Sequence, residues 1–164
     1  MGDYEDTVRI LEVELGQVEG AFRGLAEEDW RAPTKLRPLD ETKIPQEMPD
    51  KLRDTFAKTV DGARSMAPDT VGPGYYALMR LDEFVASRVV EAVVHGLDLT
   101  DALGRQPMAT PEGLAVTATI LDELLARRTV AGRPPDLAGD DLAWVRAASG
   151  RGPAHPDPRL PLIG

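Results

Sequence analysis

The stretch RLDEFVASRVVEAVVHGLDLTDALG, residues 80–104, decides the fold of this chain. Its apolar residues recur every three or four positions, as on a helix with one buried face. These are Val85, Val89, Ala92, Val93, Gly96, Leu97 and Leu99. The other face carries a polar strip at the same spacings, made of Arg88, Glu91, His95 and Asp98. The stretch therefore predicts an amphipathic helix with acidic, basic and imidazole groups along one line.

Other segments on both sides of this helix also have helical patterns. They cover residues 4–27, 50–66, 110–128 and, as a short last helix, 140–149. Asp3 and Asp50 are expected to cap the first two of these helices, while Thr110 and Pro111 form a start signal for the third. Gly104 suits the left-handed residue that follows a helix. No segment has a convincing strand pattern, so we expect an all-α bundle of about four helices with a short extra C-terminal helix.

Two proline-rich segments lie outside these helices. Residues 28–49 contain four prolines and are expected to form an extended connector, with Trp30 packed at its start. The tail, residues 151–164, is predicted to fold back onto the bundle through Leu160, Leu162 and Ile163. The apolar residues of the tail would otherwise face water.

Composition sets the class of protein and excludes several functions. A chain of 164 residues is expected to form one domain with a real core. It has no cysteine, which excludes disulfides, thiolate metal sites and cysteine nucleophiles. A formal net charge of −9 argues against nucleic acid as a partner. No signal peptide and no long apolar run is evident, so we expect a cytoplasmic protein without membrane contact.

The polar strip is the best candidate for chemistry. A glutamate four residues before a histidine can present two ligands to one divalent cation, and zinc is the usual choice for nitrogen and oxygen ligands. The same spacing also forms an ordinary surface pair, so both interpretations of Glu91 and His95 stay open. The chain has no glycine-rich phosphate loop after a strand and no Gly-x-Ser-x-Gly nucleophile motif.

A family resemblance runs through most of the chain. The sequence RVVEAVVHGLDLTDALG, residues 88–104, resembles the Arg-x-x-Glu-x-x-x-His-x-x-Asp helix of the mycothiol-dependent maleylpyruvate isomerase N-terminal family, within the DinB-like superfamily of metal-binding four-helix bundles. EEDWRAPT, residues 27–34, is similar to the family's sequence after the first helix. DLAWVRAASGRGP, residues 141–153, and LPLIG, residues 160–164, are similar to its C-terminal pattern.

The resemblance implies a DinB-like up-and-down bundle with a divalent metal, most often zinc. Glu91 and His95 would be two of the ligands. The third ligand in the family is a histidine from the second helix, and at that place this chain reads QEMPDK around Glu47. Either Glu47 or Asp50 replaces it, or His155 does so from the tail, or the bundle works without metal. The chain is also shorter than the family pattern in this region, which favours a homodimer that supplies the missing wall.

Two functions follow from the resemblance. The first is a metal-dependent enzyme that acts on a small molecule by thiol transfer, isomerisation or hydrolysis, with mycothiol as the family's thiol. Arg88 and Asp98 are its candidate catalytic residues. Arg88 would orient an anionic substrate or pair with Glu91, and Asp98 would support the site from behind or stabilise the helix end. The second function is a metal-free relative that binds a small ligand or a protein.

Overall fold

A computed structural model describes residues 3–26, 29, 48–74 and 77–163 of the chain. Five helices form an all-α bundle, as predicted, and the only sheet in this part of the chain is a small two-stranded one. The elements in chain order are α1 (Tyr4–Arg23), α2 (Met48–Ser65), β1 (Val71–Pro73), β2 (Leu78–Arg80), α3 (Leu81–Ala102), α4 (Pro111–Arg128), a 3-10 turn (Pro135–Leu137) and α5 (Asp141–Ala148). Within these ranges no helix is both long and apolar enough to cross a bilayer.

Helix α3 lies at the centre of the packing. It packs against α1 and α4, while α1 also packs against α2 and α5 covers α4. The predicted apolar face of α3 is buried, and Val89, Val93 and Leu97 are completely inaccessible. Each such side chain contributes roughly 1.5–3 kcal/mol to folding when it leaves water. The buried face of α3 therefore holds the bundle together, and the polar strip has to lie along the remaining surface.

Helix α1 buries only part of the line that its apolar period predicts. That line runs through Val8, Leu11, Leu15, Val18, Phe22 and Leu25. Thr7, Val8, Leu11 and Glu14 are buried, whereas Leu15 and the apolar residues that follow it are only half-buried. The helix ends at Arg23, before the predicted end, and Gly24 follows it. Asp3 is at the N-cap position, but its side chain makes no capping hydrogen bond. The buried line runs through Glu14 because this carboxylate meets the start of α4.

The prediction that the chain has no strand is wrong. Residues 71–73 pair antiparallel with residues 78–80, with Gly72 opposite Met79. The backbone N–H of Gly74 donates to the carbonyl of Ala77 at 2.8 Å. A Cβ at Gly74 would lie 2.7 Å from that carbonyl oxygen, so the turn needs glycine. Strands of three residues are too short to have a recognisable alternation of apolar and polar side chains.

Among the other helix ends, two agree with the sequence and the start of α2 does not. The hydroxyl of Thr110 accepts the N–H of Gly113 at 3.0 Å, so Thr110 caps α4 as predicted. Gly104 follows α3 with a φ of 61°, in the left-handed region. Helix α2 begins at Met48, so Asp50 lies in its first turn and is not its cap.

The tail folds back onto α5, which confirms that prediction. The backbone N–H groups of Leu162 and Ile163 both donate to the carbonyl of Ala148, at 2.7 and 3.1 Å. Leu162 is buried in the core, and Arg128 donates to its carbonyl at 2.9 Å. Trp30 and most of the connector lie outside the described residues. Of the connector only Asp29 and the first two residues of α2, Met48 and Pro49, are described.

Candidate functional site

The polar strip runs from solvent into the protein along α3. The side chains of Arg88, Glu91 and His95 are 41%, 50% and 39% exposed. That of Asp98 is only 2% exposed. Because the apolar face of α3 is buried against α1 and α4, the strip occupies the uncovered edge of the helix. Its outer half is open to a ligand, and its inner end belongs to the core.

Glu91 and His95 are in direct contact at the outer half of the strip. Nε2 of His95 lies 2.9 Å from Oε2 of Glu91. The guanidinium of Arg88 is 3.9 Å from the other carboxylate oxygen and 5.1 Å above the centre of the Phe84 ring. The two predicted ligands are therefore adjacent, and the guanidinium of Arg88 lies beside them.

The other ring nitrogen of His95 points inward. Nδ1 is buried and has no hydrogen-bond partner, and Oδ2 of Asp98 lies 3.7 Å away. That distance is longer than a hydrogen bond, so the buried nitrogen faces a carboxylate without contacting it. A histidine that binds a metal through one nitrogen usually turns the other toward a carboxylate or carbonyl. The ring of His95 has this orientation.

Asp98 is held by an arginine from the other end of the chain. Nε of Arg151 lies 3.2 Å from Oδ1, and Nη2 lies 3.1 Å from Oδ2. Both side chains are largely buried, at 2% for Asp98 and 14% for Arg151. A buried carboxylate needs such a partner because an isolated charge in the core is costly. Asp98 therefore does not reach the surface, where it could contact a substrate directly.

Arg151 is the residue that reasoning from sequence did not identify. It is separated from Asp98 by 53 positions, so no local spacing connects the two. Gly150, at a φ of 67°, turns the chain after α5 so that Arg151 points back to α3. The only signal in the sequence was the Gly-Arg pair at residues 150 and 151, within the C-terminal stretch that is similar to the family pattern.

The three candidates for a further ligand have different outcomes. Glu47 lies outside the described residues. Asp50 is 59% exposed and pairs with Arg53 at 3.3 Å, within α2. In the described part of the chain, no group of three or more His, Cys, Asp or Glu side chains could hold a metal ion. Asp50 is therefore not brought to Glu91 and His95.

His155 has a separate structural role. Its Nε2 lies 3.0 Å from Oδ2 of Asp136 in the 3-10 turn, and its Nδ1 accepts the backbone N–H of Asp157 at 3.1 Å. The hydrogen bond with His155 lowers the pKa of Asp136. Both ring nitrogens are thus used to fix the tail, and His155 does not join His95.

A second buried carboxylate lies between α1 and α4. Glu14 accepts hydrogen bonds from the backbone N–H of Thr110, at 2.9 Å, and from its hydroxyl. Burial raises the pKa of Glu14, while the hydrogen bonds from Thr110 oppose that rise. This group stabilises the start of α4 and has no open space for a ligand, since Gly113 lies directly against it.

The residues of the strip fit part of a metal centre. Glu91 and His95 present oxygen and nitrogen ligands side by side, and the buried Nδ1 of His95 faces Asp98. Two ligands from one helix are fewer than the three that a catalytic zinc site usually has. A further ligand would have to come from outside the described residues, from a second chain or from solvent.

No protein-family model, curated protein or solved structure matches this chain with significance. The resemblance to the maleylpyruvate isomerase family therefore stays a prediction, and the function has to be argued from the strip.

Proposed function

We propose that this chain is a divalent-metal-binding bundle of the DinB-like class, in which Glu91 and His95 bind the cation. The observation that carries the proposal is the orientation of His95, with Nε2 beside a carboxylate at the surface and Nδ1 buried toward Asp98. A histidine in an ordinary surface pair has no need for a second, buried carboxylate behind its ring. Zinc is the first cation to test, because it accepts this mixture of nitrogen and oxygen ligands.

The proposed activity is an isomerisation, thiol transfer or hydrolysis of a small molecule. A bound divalent cation would polarise a carbonyl or lower the pKa of a bound thiol or water. Arg88 lies at the outer end of the strip and is 41% exposed, so its guanidinium can orient an anionic group of the substrate. Mycothiol is the candidate thiol, on the resemblance alone.

Metal analysis of the purified protein tests the proposal. Wild type prepared without added metal is expected to carry one divalent ion per site, and Glu91→Ala and His95→Ala are expected to lose it. His155→Ala is the matched control, because it removes the chain's other histidine, which is bonded to Asp136. Wild type without stoichiometric metal, even after incubation with zinc, would refute the metal proposal.

The alternative is a metal-free bundle that binds a small ligand or a protein. It is favoured by the direct contact between Glu91 and Nε2 of His95, which pairs these two groups without a cation, and by the lack of a third ligand among the described residues. The same metal analysis separates the two functions. If zinc neither binds nor raises the melting temperature, the alternative becomes the better proposal.

A further inference from the structure

Three side chains form a continuous line from the C-terminal region to the proposed metal ligand. Arg151 contacts both carboxylate oxygens of Asp98, and Oδ2 of Asp98 lies 3.7 Å from the buried Nδ1 of His95. His95 in turn reaches the surface with Nε2. Arg151 and Asp98 are both largely buried, whereas His95 is half-exposed.

Arg151 is itself fixed by the backbone around it. Its Nη1 donates to the carbonyl of Ser149 at 2.6 Å, and its own carbonyl accepts from Arg146 at 3.2 Å. The guanidinium therefore uses one nitrogen for the end of α5 and the other two for Asp98. A planar group held in this way fixes both the position and the tilt of the carboxylate.

We propose that Arg151 is a positioning residue that acts through Asp98 on His95. By holding the carboxylate opposite Nδ1, it fixes the tilt of the imidazole ring and keeps Nε2 directed to the surface, beside Glu91. This inference rests on the proposed function for its purpose, but the orientation of the ring exists with or without a cation. Without Arg151, Asp98 would be an uncompensated buried charge and would move toward His95 or toward water.

The first test uses the metal-free protein at one fixed pH. Ring ¹⁵N resonances of His95 are recorded in wild type, Arg151→Met and Arg151→Lys, and are assigned with His95→Gln. We expect the ring resonances to shift clearly in Arg151→Met and less in Arg151→Lys, which keeps the charge but loses the two-pronged contact. Unchanged His95 resonances in Arg151→Met would overturn the inference, because a purely structural arginine would not act on the ring.

Arg128→Met is the matched control. Arg128 also joins the C-terminal region to the bundle, through a contact of 2.9 Å to the carbonyl of Leu162, but this contact involves neither Arg151 nor Asp98. We expect this variant to leave the His95 resonances unchanged. If it shifted them as much as Arg151→Met, the effect would be general loosening and the inference would fail.

The second test measures zinc affinity in competition with a chromophoric chelator. Loss of the carboxylate that supports a metal-binding histidine typically weakens affinity by about 10- to 100-fold. We expect a loss in that range for Arg151→Met and for Asp98→Asn, and none for Arg128→Met. If wild type binds no zinc, the proposed function fails, while the ring resonances still decide the role of Arg151. Should Arg151→Met not fold, Arg151→Lys decides both tests.

Discussion

Position 113 has to be glycine because the side chain of Glu14, far away in sequence, occupies the space that a Cβ would need. A Cβ at this position in the first turn of α4 would lie 2.2 Å from Oε1 of Glu14. Glu14 is buried and hydrogen-bonded to Thr110, so it has little freedom to move aside. We predict that Gly113→Ala lowers the free energy of unfolding by about 1–3 kcal/mol, the usual cost of overpacking. Urea unfolding followed by circular dichroism measures it.

The control for this prediction is a glycine with free space around it. Gly16 lies in the middle of α1, is exposed, and has nothing within 4 Å of a Cβ. Gly16→Ala should therefore raise stability by up to about 1 kcal/mol through helix propensity. A stabilising Gly113→Ala, or equal effects of the two substitutions, would show that the carboxylate of Glu14 is not held as described.

At the scale of elements, Glu14 joins α1 to α4 and makes that junction sensitive to pH. Burial raises its pKa in the folded protein above the ordinary glutamate value of 4.5. The folded state then binds more protons than the unfolded state at pH values just above 4.5, so this group's contribution to stability falls as pH rises through that window. We predict that the stability of wild type relative to Glu14→Gln declines as pH increases from about 4.5.

Unfolding free energies of both proteins, measured in steps from pH 4 to pH 7, give the difference directly. Other titrating groups cancel because they are the same in the two proteins. A ¹³C titration of the Glu14 carboxyl provides an independent value. A midpoint below that of an ordinary glutamate would mean that the hydrogen bonds from Thr110 outweigh burial, and the predicted slope would reverse.

Helices were predictable from the sequence where their signals are local. The apolar period of α3, the Thr110 cap and Gly104 all act within one or two turns, so they can be recognised in a single stretch. The hairpin before α3 was missed because its strands have three residues each, and its pairing depends on a glycine turn. The buried line of α1 was misplaced because Glu14 is buried by a residue 96 positions away.

The candidate site also has residues that local spacing predicts and one that depends on a long-range contact. Glu91, His95 and Asp98 share one helix, so their common strip followed from spacing. Arg151 could not be found by that method, since its contact with Asp98 depends on how the chain turns after α5. The burial of Asp98 could not be predicted either. Residue spacing places a side chain on one face of a helix, but it does not show which part of that face other elements cover.

At the scale of the whole molecule, we predict a homodimer. The expectation comes from the resemblance: the chain between Trp30 and Glu91 is shorter than the family pattern, so fewer segments would cover the apolar surface of the bundle. Light scattering at several protein concentrations should give twice the chain mass of 17.8 kDa. A mass of one chain throughout the series would contradict the prediction and would require the metal site to be completed within one chain.

The contact between Asp98 and Arg151 joins two residues that are synthesised at different times. The ribosome completes α3 and α4 well before residue 151 is made, so for part of translation the emerging bundle has Asp98 without its counter-charge. The carboxylate can remain hydrated only while the bundle is loose. The buried position of Asp98 behind His95 is therefore complete only when Arg151, 53 positions later in the chain, has joined it.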